Sequence, residues 1–354
     1  MNRKIFLLIC LISTNICTKN FFSKFKSSSQ SKSVASLNFK KIPIVFHKNY
    51  DISFWGLEKL HPFDSCKYGK IADYIVKNCS IDRCRFYTPD PVTDNELLLV
   101  HSKEYLKKVA EPSYAAKVAE VKPLSWIPRS SLQTRLLDPM RYATGGTILA
   151  CQLALKFGWA INLSGGYHHA KANSGEGFCF FADIPLAVNI LWQKNPNLKV
   201  MVVDLDAHQG NGVESILKND KRIAVFDVYN GQIYPNDIEA KKYIRYNHPI
   251  KGFTRDEQYL NLVKTELPKA LDQFKPDLII YNAGTDIFQE DPLGCLGVSE
   301  FGIIQRDSIV FDLCLQRNKP VAMLLSGGYS KKTYEIIGKS IQNILKKSKI
   351  SSII

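Results

Sequence analysis

From residue 158 onward, short apolar runs alternate with amphipathic stretches. The segments 159–163, 200–203, 223–228, 277–282 and 321–325 are largely apolar and bounded by polar or Gly-rich loops. This is the pattern of strands buried on both faces. The segments 183–194, 258–274, 299–317 and 333–347 read as helices. Strand, loop, helix, strand in this order predicts an α/β protein with a mostly parallel sheet flanked by helices. Upstream the pattern is less regular. Residues 42–46 read as a short strand, 68–77 as a helix, and 96–108 as a helix interrupted at His101-Ser102. Residues 55–64 read as a loop, because Pro62 disfavours helix at His61. Asp138-Pro139 predicts a helix start, with Asp as N-cap and Pro at the first position. That helix can run to Phe157, with Gly158 as its stop. Gly145-Gly146 inside it would cost about 1 kcal/mol each relative to Ala, which points to close packing against another backbone. No linker and no fixed-period repeat divides the chain after residue 41, so 41–354 reads as a single domain.

The polar motifs all fall immediately after strands: GGYHHA, DLDAHQGNG, AGTD and SGGY. In open α/β sheets, ligands bind outside the carboxyl ends of the strands, so these loops should converge on one mouth. In DLDAHQG, the strand period puts Asp204, Asp206 and His208 on one side. Buried carboxylates there call for a cation or hydrogen bonds, unless they only cap the next helix. A catalytic zinc takes three protein ligands and leaves a position for water. Asp206 and His208 supply two, and Asp286 in AGTD is the best third, although a lone Asp after a strand is usually a cap. His168 and His169 suit proton transfer beside a metal. Asp204 can fix the tautomer of one and Asn211 that of the other; the alternative is a hydrogen-bonded pair that only shapes its loop. Tyr329 after Gly327-Gly328 could polarise a carbonyl as an oxyanion-hole donor does, or could be ordinary packing. Of Phe178, Phe180 and Phe181, at least one could line an apolar channel.

Composition alters this picture little, but charge does. The 354-residue chain is 45% hydrophobic and 23% charged, with net charge +14. Residues 1–41 hold eight Lys or Arg and no acid, which leaves the remainder at about +6. The basicity belongs mainly to this leader and is no footprint of nucleic-acid binding. Residues 1–17 have a short basic start and an apolar run, like a secretory signal. Residues 18–40 are rich in Ser and Lys, like a transit peptide. Together 1–40 read as a bipartite leader to an organelle, with a plastid as the favoured address. A secretory signal with a spacer and an untargeted cytoplasmic or nuclear tail are the alternatives. No apolar run is long enough to span a membrane. Nine cysteines without a C-x-x-C or a paired framework read as thiols of a reducing compartment.

Taken together, GGYHHA, GFCFFADIPLA, DLDAHQGNG, YNAGTD and SGGY resemble the zinc-dependent histone deacetylases of the arginase/deacetylase fold, over nearly all of 41–350. HPFD, DVYNGQIYP and DAHQGNG resemble the class IV members. The resemblance implies one zinc on Asp206, His208 and Asp286. It implies a catalytic pair, His168 partnered by Asp204 and His169 by Asn211, with Tyr329 polarising the carbonyl. Gly177 and Phe178 would contact the acyl-lysine, with Tyr234 on the opposite wall. It also implies a structural potassium near the zinc, with Asp204, Asp206 and His208 contributing. The expected activity is removal of acetyl or longer acyl groups from lysine amides of proteins or peptides. Several relatives carry Asp where this chain has Asn211. A second metal, as in arginases, is not expected, because Gly210 stands where they place a carboxylate. An acetylpolyamine or other small-molecule amidohydrolase, and an inactive acyl-lysine-binding scaffold, are the other readings.

Overall fold

A computed structural model describes residues 40–347. The leader, 1–40, lies outside the described residues except for Lys40, as do Cys10 and Cys17. Seven parallel strands form one sheet: β1 (Ile44–Val45), β2 (Trp159–Asn162), β3 (Val200–Asp204), β4 (Ile223–Asn230), β5 (Tyr246–Ile250), β6 (Leu278–Asn282) and β7 (Val321–Leu324). Their order is β1-β2-β7-β6-β3-β4-β5. Every residue of β2, β3, β6 and β7 is buried, as continuous apolar runs demand in a sheet covered on both faces.

Helix Asp138–Phe157 packs on β2 and β7. Helix Lys67–Cys79 packs on Thr333–Leu345, which in turn packs on Glu300–Gln316. β5 is the strand that periodicity misses. Its residues alternate between half-buried and exposed, and it contains Pro249, which an edge strand tolerates.

Asp138 is not an N-cap. The backbone is already helical at Leu137, after a helical turn Arg129–Leu132 and a π-turn Gln133–Leu137, and the Asp138 carboxylate accepts from Gln133 Nε2 at 2.6 Å. Pro139 has no N–H and crowds the carbonyl four residues earlier. The wider π-turn absorbs that clash, so the helix passes through the proline. Its far end is as expected, with Gly158 left-handed at φ 85°. Gly145 packs on the Asp90 backbone, where a Cβ would lie 2.0 Å from the carbonyl oxygen. Gly146 instead meets the side chains of Tyr50 and Asn162.

The strand order turns at β3. β4 and β5 lie on one side, β6 and β7 on the other. Such a reversal opens a crevice at the carboxyl ends, between loops that leave in opposite directions. Asp204 is in register with Asp227 of β4 and Asn282 of β6, which brings three polar side chains level at that edge. All seven cysteines among the described residues are free. No helix among them is long and apolar enough to cross a membrane.

Candidate active site

β3 ends at Asp204, and the turn that follows keeps the next acidic and imidazole groups on the same side. The side chains of Asp206, His208 and Asp286 offer ligand atoms that all lie within 4.8 Å of one another, and all three residues are buried. His208 Nδ1 lies 3.2 Å from Asp206 Oδ1 and 2.8 Å from Asp286 Oδ2. The outer faces of the carboxylates are held by donors. Ser326 Oγ and Gly327 N donate to Asp206 Oδ2, and Ala207 N donates to Asp286 Oδ1. Gly327 is required by space: a Cβ there would lie 2.6 Å from Asp286 Oδ2 and 2.7 Å from Asp206 Oδ2.

Burial and the facing Asp206 carboxylate push the Asp286 carboxyl up to about 7. Burial opposes ionisation of Asp206 as well, but His168 and His208 hold it well below the ordinary range. Two buried carboxylates this close resist sharing full charge, and a divalent cation removes the conflict. The donor set of two carboxylates and one imidazole, with room beside them, fits a three-ligand zinc site.

The two histidines sit side by side with ring centroids 4.1 Å apart, yet their environments differ. His168 Nδ1 is 2.8 Å from Asp204 Oδ2. Burial alone would lower this imidazole; the Asp204 and Asp206 carboxylates overcome it and raise it to about 9. Asn282 Nδ2 fixes Asp204 by donating to its Oδ1 at 2.9 Å. His169 Nδ1 is 2.8 Å from Asn211 Oδ1. Burial and the neighbouring His168 and His208 hold His169 well below 6.5. The carboxylate beside His168 favours its charged form, and the surroundings of His169 disfavour it.

One cavity brings polar and apolar side chains together. His168, His169, Asp206 and Tyr329 line one part of it. Ile52, Phe54, Val121, Leu124, Leu136 and Met140 line another. Phe178 and Phe180 reach it, whereas Phe181 is core. Gly177 is left-handed at φ 53°, and a Cβ there would lie 2.4 Å from His169 Cδ2, so the loop can press on the histidine only without a side chain. The Tyr329 ring centroid lies 6.3 Å from that of His208 and 5.9 Å from that of Phe178. Tyr234 does not line this cavity. It is half exposed at the mouth, its ring 5.2 Å from His169.

Several residues that build the site escape sequence reasoning. Asp291 accepts from Tyr329 N at 2.7 Å and Ser330 N at 3.2 Å, which anchors the tyrosine loop. Lys67 is buried and donates to Ser326 O at 2.9 Å. Burial pulls its ammonium down to about 8 despite Asp286 and Asp206 nearby. Arg306 is fully buried and donates to the carbonyls of Leu205, Ala283 and Gly284, tying the loops after β3 and β6 together. Both basic residues lie on helices, where a charge ordinarily signals a solvent face. Asp291 had a weak cue: it is an acid in a Gly- and Pro-containing loop just beyond AGTD.

Residues 61–345 match the family model of the histone deacetylase domain. The chain is 41% identical over 322 residues to Histone deacetylase 2 of Arabidopsis thaliana, covering 91% of this chain and 83% of that one. It is 25% identical to the acetoin utilization protein AcuC of Staphylococcus aureus, covering 76% of this chain and 73% of that one. The crystal structure of the HDA15 HD domain superposes with a TM-score of 0.69 at 22% identity, covering 87% of this chain and 88% of the other, a likeness of fold. With a matched domain spanning most of its length and a relative at that identity, the chain belongs to the histone deacetylase family and is a lysine deacetylase-like hydrolase.

Proposed function

We propose that the chain hydrolyses acyl-lysine amides of proteins or peptides, with one zinc held by Asp206, His208 and Asp286. The observation that carries this reading is the buried carboxylate–imidazole–carboxylate triad at the edge of a cavity lined by two histidines with different partners, Asp204 and Asn211. Zinc bound there supplies a Lewis acid that polarises the acyl carbonyl and lowers the pKa of a water to about 7. Neutral His169 takes a proton from the attacking water as its oxygen bonds to the carbonyl carbon. Cationic His168 stabilises the charge that builds on the carbonyl oxygen. Tyr329, which burial keeps protonated, donates a hydrogen bond to that oxygen. As the C–N bond breaks, His169 returns its proton to the leaving lysine amine, leaving a carboxylic acid and a free lysine. Gly177 and Phe178 border the lysine stem, with Tyr234 at the mouth.

The cavity presents more apolar wall than an acetyl methyl can cover, which supports acyl groups longer than acetyl as well. A potassium beside the zinc would rest on Asp204, Asp206 and His208. Asp227, whose carboxyl is pushed well up by burial and by Asp204 and Glu214, fits as a further oxygen. The 41–354 segment is the catalytic domain in this reading, and residues 1–40 are a leader to an organelle. A fluorescent protein fused to 1–41 tests the leader; diffuse cytoplasmic signal would end that part.

The enzymatic reading is tested by metal analysis and an acyl-chain panel on fluorogenic lysine peptides. The expected result is about one zinc per chain and turnover on at least one acyl-lysine. Turnover on acetylpolyamines alone would replace the substrate class. Bound zinc with no turnover on any amide would favour a binding scaffold.

A further inference from the structure

We propose that Glu176 is a positioning residue that sets the orientation of the Asn211 amide and, through it, the tautomer of His169. This rests on the reading above, in which His169 moves the proton. An asparagine amide is nearly symmetric in shape but not in chemistry. Its oxygen only accepts, and its nitrogen only donates. If the oxygen faces His169 Nδ1, the ring must carry its proton there, and Nε2 keeps the lone pair that a base needs. If the nitrogen faces it, Nδ1 becomes the acceptor, the proton moves to Nε2, and the base is lost. An aspartate would have no such ambiguity, and His168 has an aspartate, Asp204. Asn211 needs something else to choose for it.

Glu176 makes the choice, beside the Asp237 carboxylate, which also takes a hydrogen bond from the Asn211 side chain. Glu176 Oε1 accepts from Asn211 Nδ2 at 2.8 Å, on the far side of the amide from His169. A carboxylate only accepts, so flipping Asn211 would set oxygen against oxygen. Asn211 is buried, so that opposition would carry a desolvation cost. Glu176 is itself fixed. Lys171 Nζ lies 3.0 Å from its Oε1 and 2.9 Å from Asp237 Oδ2, and Cys179 N donates to its backbone carbonyl. Glu176 directly precedes Gly177 and Phe178, so one loop supplies both the tunnel wall and the orientation of the base. The chain His169–Asn211–Glu176–Lys171 also brings a carboxylate to the histidine at one amide's remove.

Four variants of the full chain test this on an acyl-lysine peptide that the wild type hydrolyses. Glu176→Ala is expected to lower kcat about tenfold or more with KM nearly unchanged, as loss of a partner that orients a catalytic imidazole does. Glu176→Gln is expected to stay within about threefold, because its Oε1 still accepts from Asn211. Asn211→Asp alone sets two carboxylates face to face and is expected to fall about tenfold or more. Asn211→Asp combined with Glu176→Gln is expected to recover most of that loss, because the Gln Nε2 can donate to the new carboxylate. Glu176→Ala within twofold of wild type, or a double variant no better than Asn211→Asp, would overturn the proposal. Ring ¹⁵N shifts of His169 in histidine-labelled protein read the tautomer without turnover. Wild type should carry Nδ1–H and Glu176→Ala a mixture. An unchanged tautomer in Glu176→Ala would overturn this inference. A correct tautomer in a protein that hydrolyses no acyl-lysine would overturn only the functional reading.

Discussion

At the carboxyl ends of β3 and β6, Asp204, Asp206, His208 and Asp286 are buried, and each carboxylate is engaged by named donors from neighbouring loops. Across the same cavity, Ile52, Phe54, Val121, Leu124 and Met140 present only apolar surface. The first region is a floor of fixed charge. The second is a wall shaped by packing. Buried polar groups demand complete hydrogen bonding, so the floor can tolerate little change. Apolar contacts are non-directional, and a wall made of them can be reshaped at modest cost. In the proposed function, the chemistry belongs to the floor and the choice of acyl group to the wall.

The strongest way to break that division is to take away the proposed zinc. Chelation of zinc, or His208→Ala, is expected to abolish measurable turnover for every acyl length, with re-addition of zinc restoring only the wild type; residual hydrolysis in the chelated protein would show that the floor is not the reaction centre. Next come the groups that move or stabilise charge. His169→Ala should lower kcat/KM by about 10²–10⁴-fold, and Tyr329→Phe by about 10²–10³-fold, equally for short and long acyl groups. Unequal losses between acyl lengths would blur floor and wall. The wall should answer differently. Leu136→Phe fills part of the apolar cavity, and turnover of long acyl-lysines should fall roughly 10-fold or more while acetyl-lysine changes little; a parallel loss on both substrates would contradict the assignment.

The smallest effect touches stability alone. His101 is buried against Tyr105 and Phe181, with Nε2 accepting from Ala182 N at 2.9 Å and Nδ1 3.2 Å from Ala172 O. Burial lowers this imidazole to about 4, from 6.5. The folded state keeps it neutral while the unfolded chain takes up a proton. Its contribution is therefore present above pH 6.5 and lost as pH falls towards 4, by at most about 3 kcal/mol. Urea midpoints measured across that window should drop more steeply for wild type than for His101→Gln, and parallel curves would refute the assignment.

The floor was largely legible in the sequence and the wall was not. Asp206, His208 and Asp286 each follow a long apolar strand, and strand-end loops of a parallel sheet must meet. The wall comes from the upstream half, where helices such as Asp94–Leu97, Lys103–Val109 and Pro112–Val118 are too short to establish a period. Lys67 and Arg306 were invisible for another reason. Their carbonyl partners are backbone atoms, which leave no mark in the side-chain pattern. Glu176 looked like one more polar residue in a glycine-rich loop; only its distance from Asn211 distinguishes it.

Leu136 belongs to the π-turn Gln133–Leu137, and Met140 follows one turn later. Such a turn holds one residue more than an α-helical one. Deleting that residue would close an ordinary helical ladder and swing the preceding segment by about 100° around the axis. Strands β2–β7, which follow Asp138 in the chain, would not need to move, whereas β1 precedes the turn. Chain length at this single point can therefore remodel the acyl chamber while the hydrolytic apparatus stays in place, giving descendants of this gene a route to new substrates through one codon gained or lost.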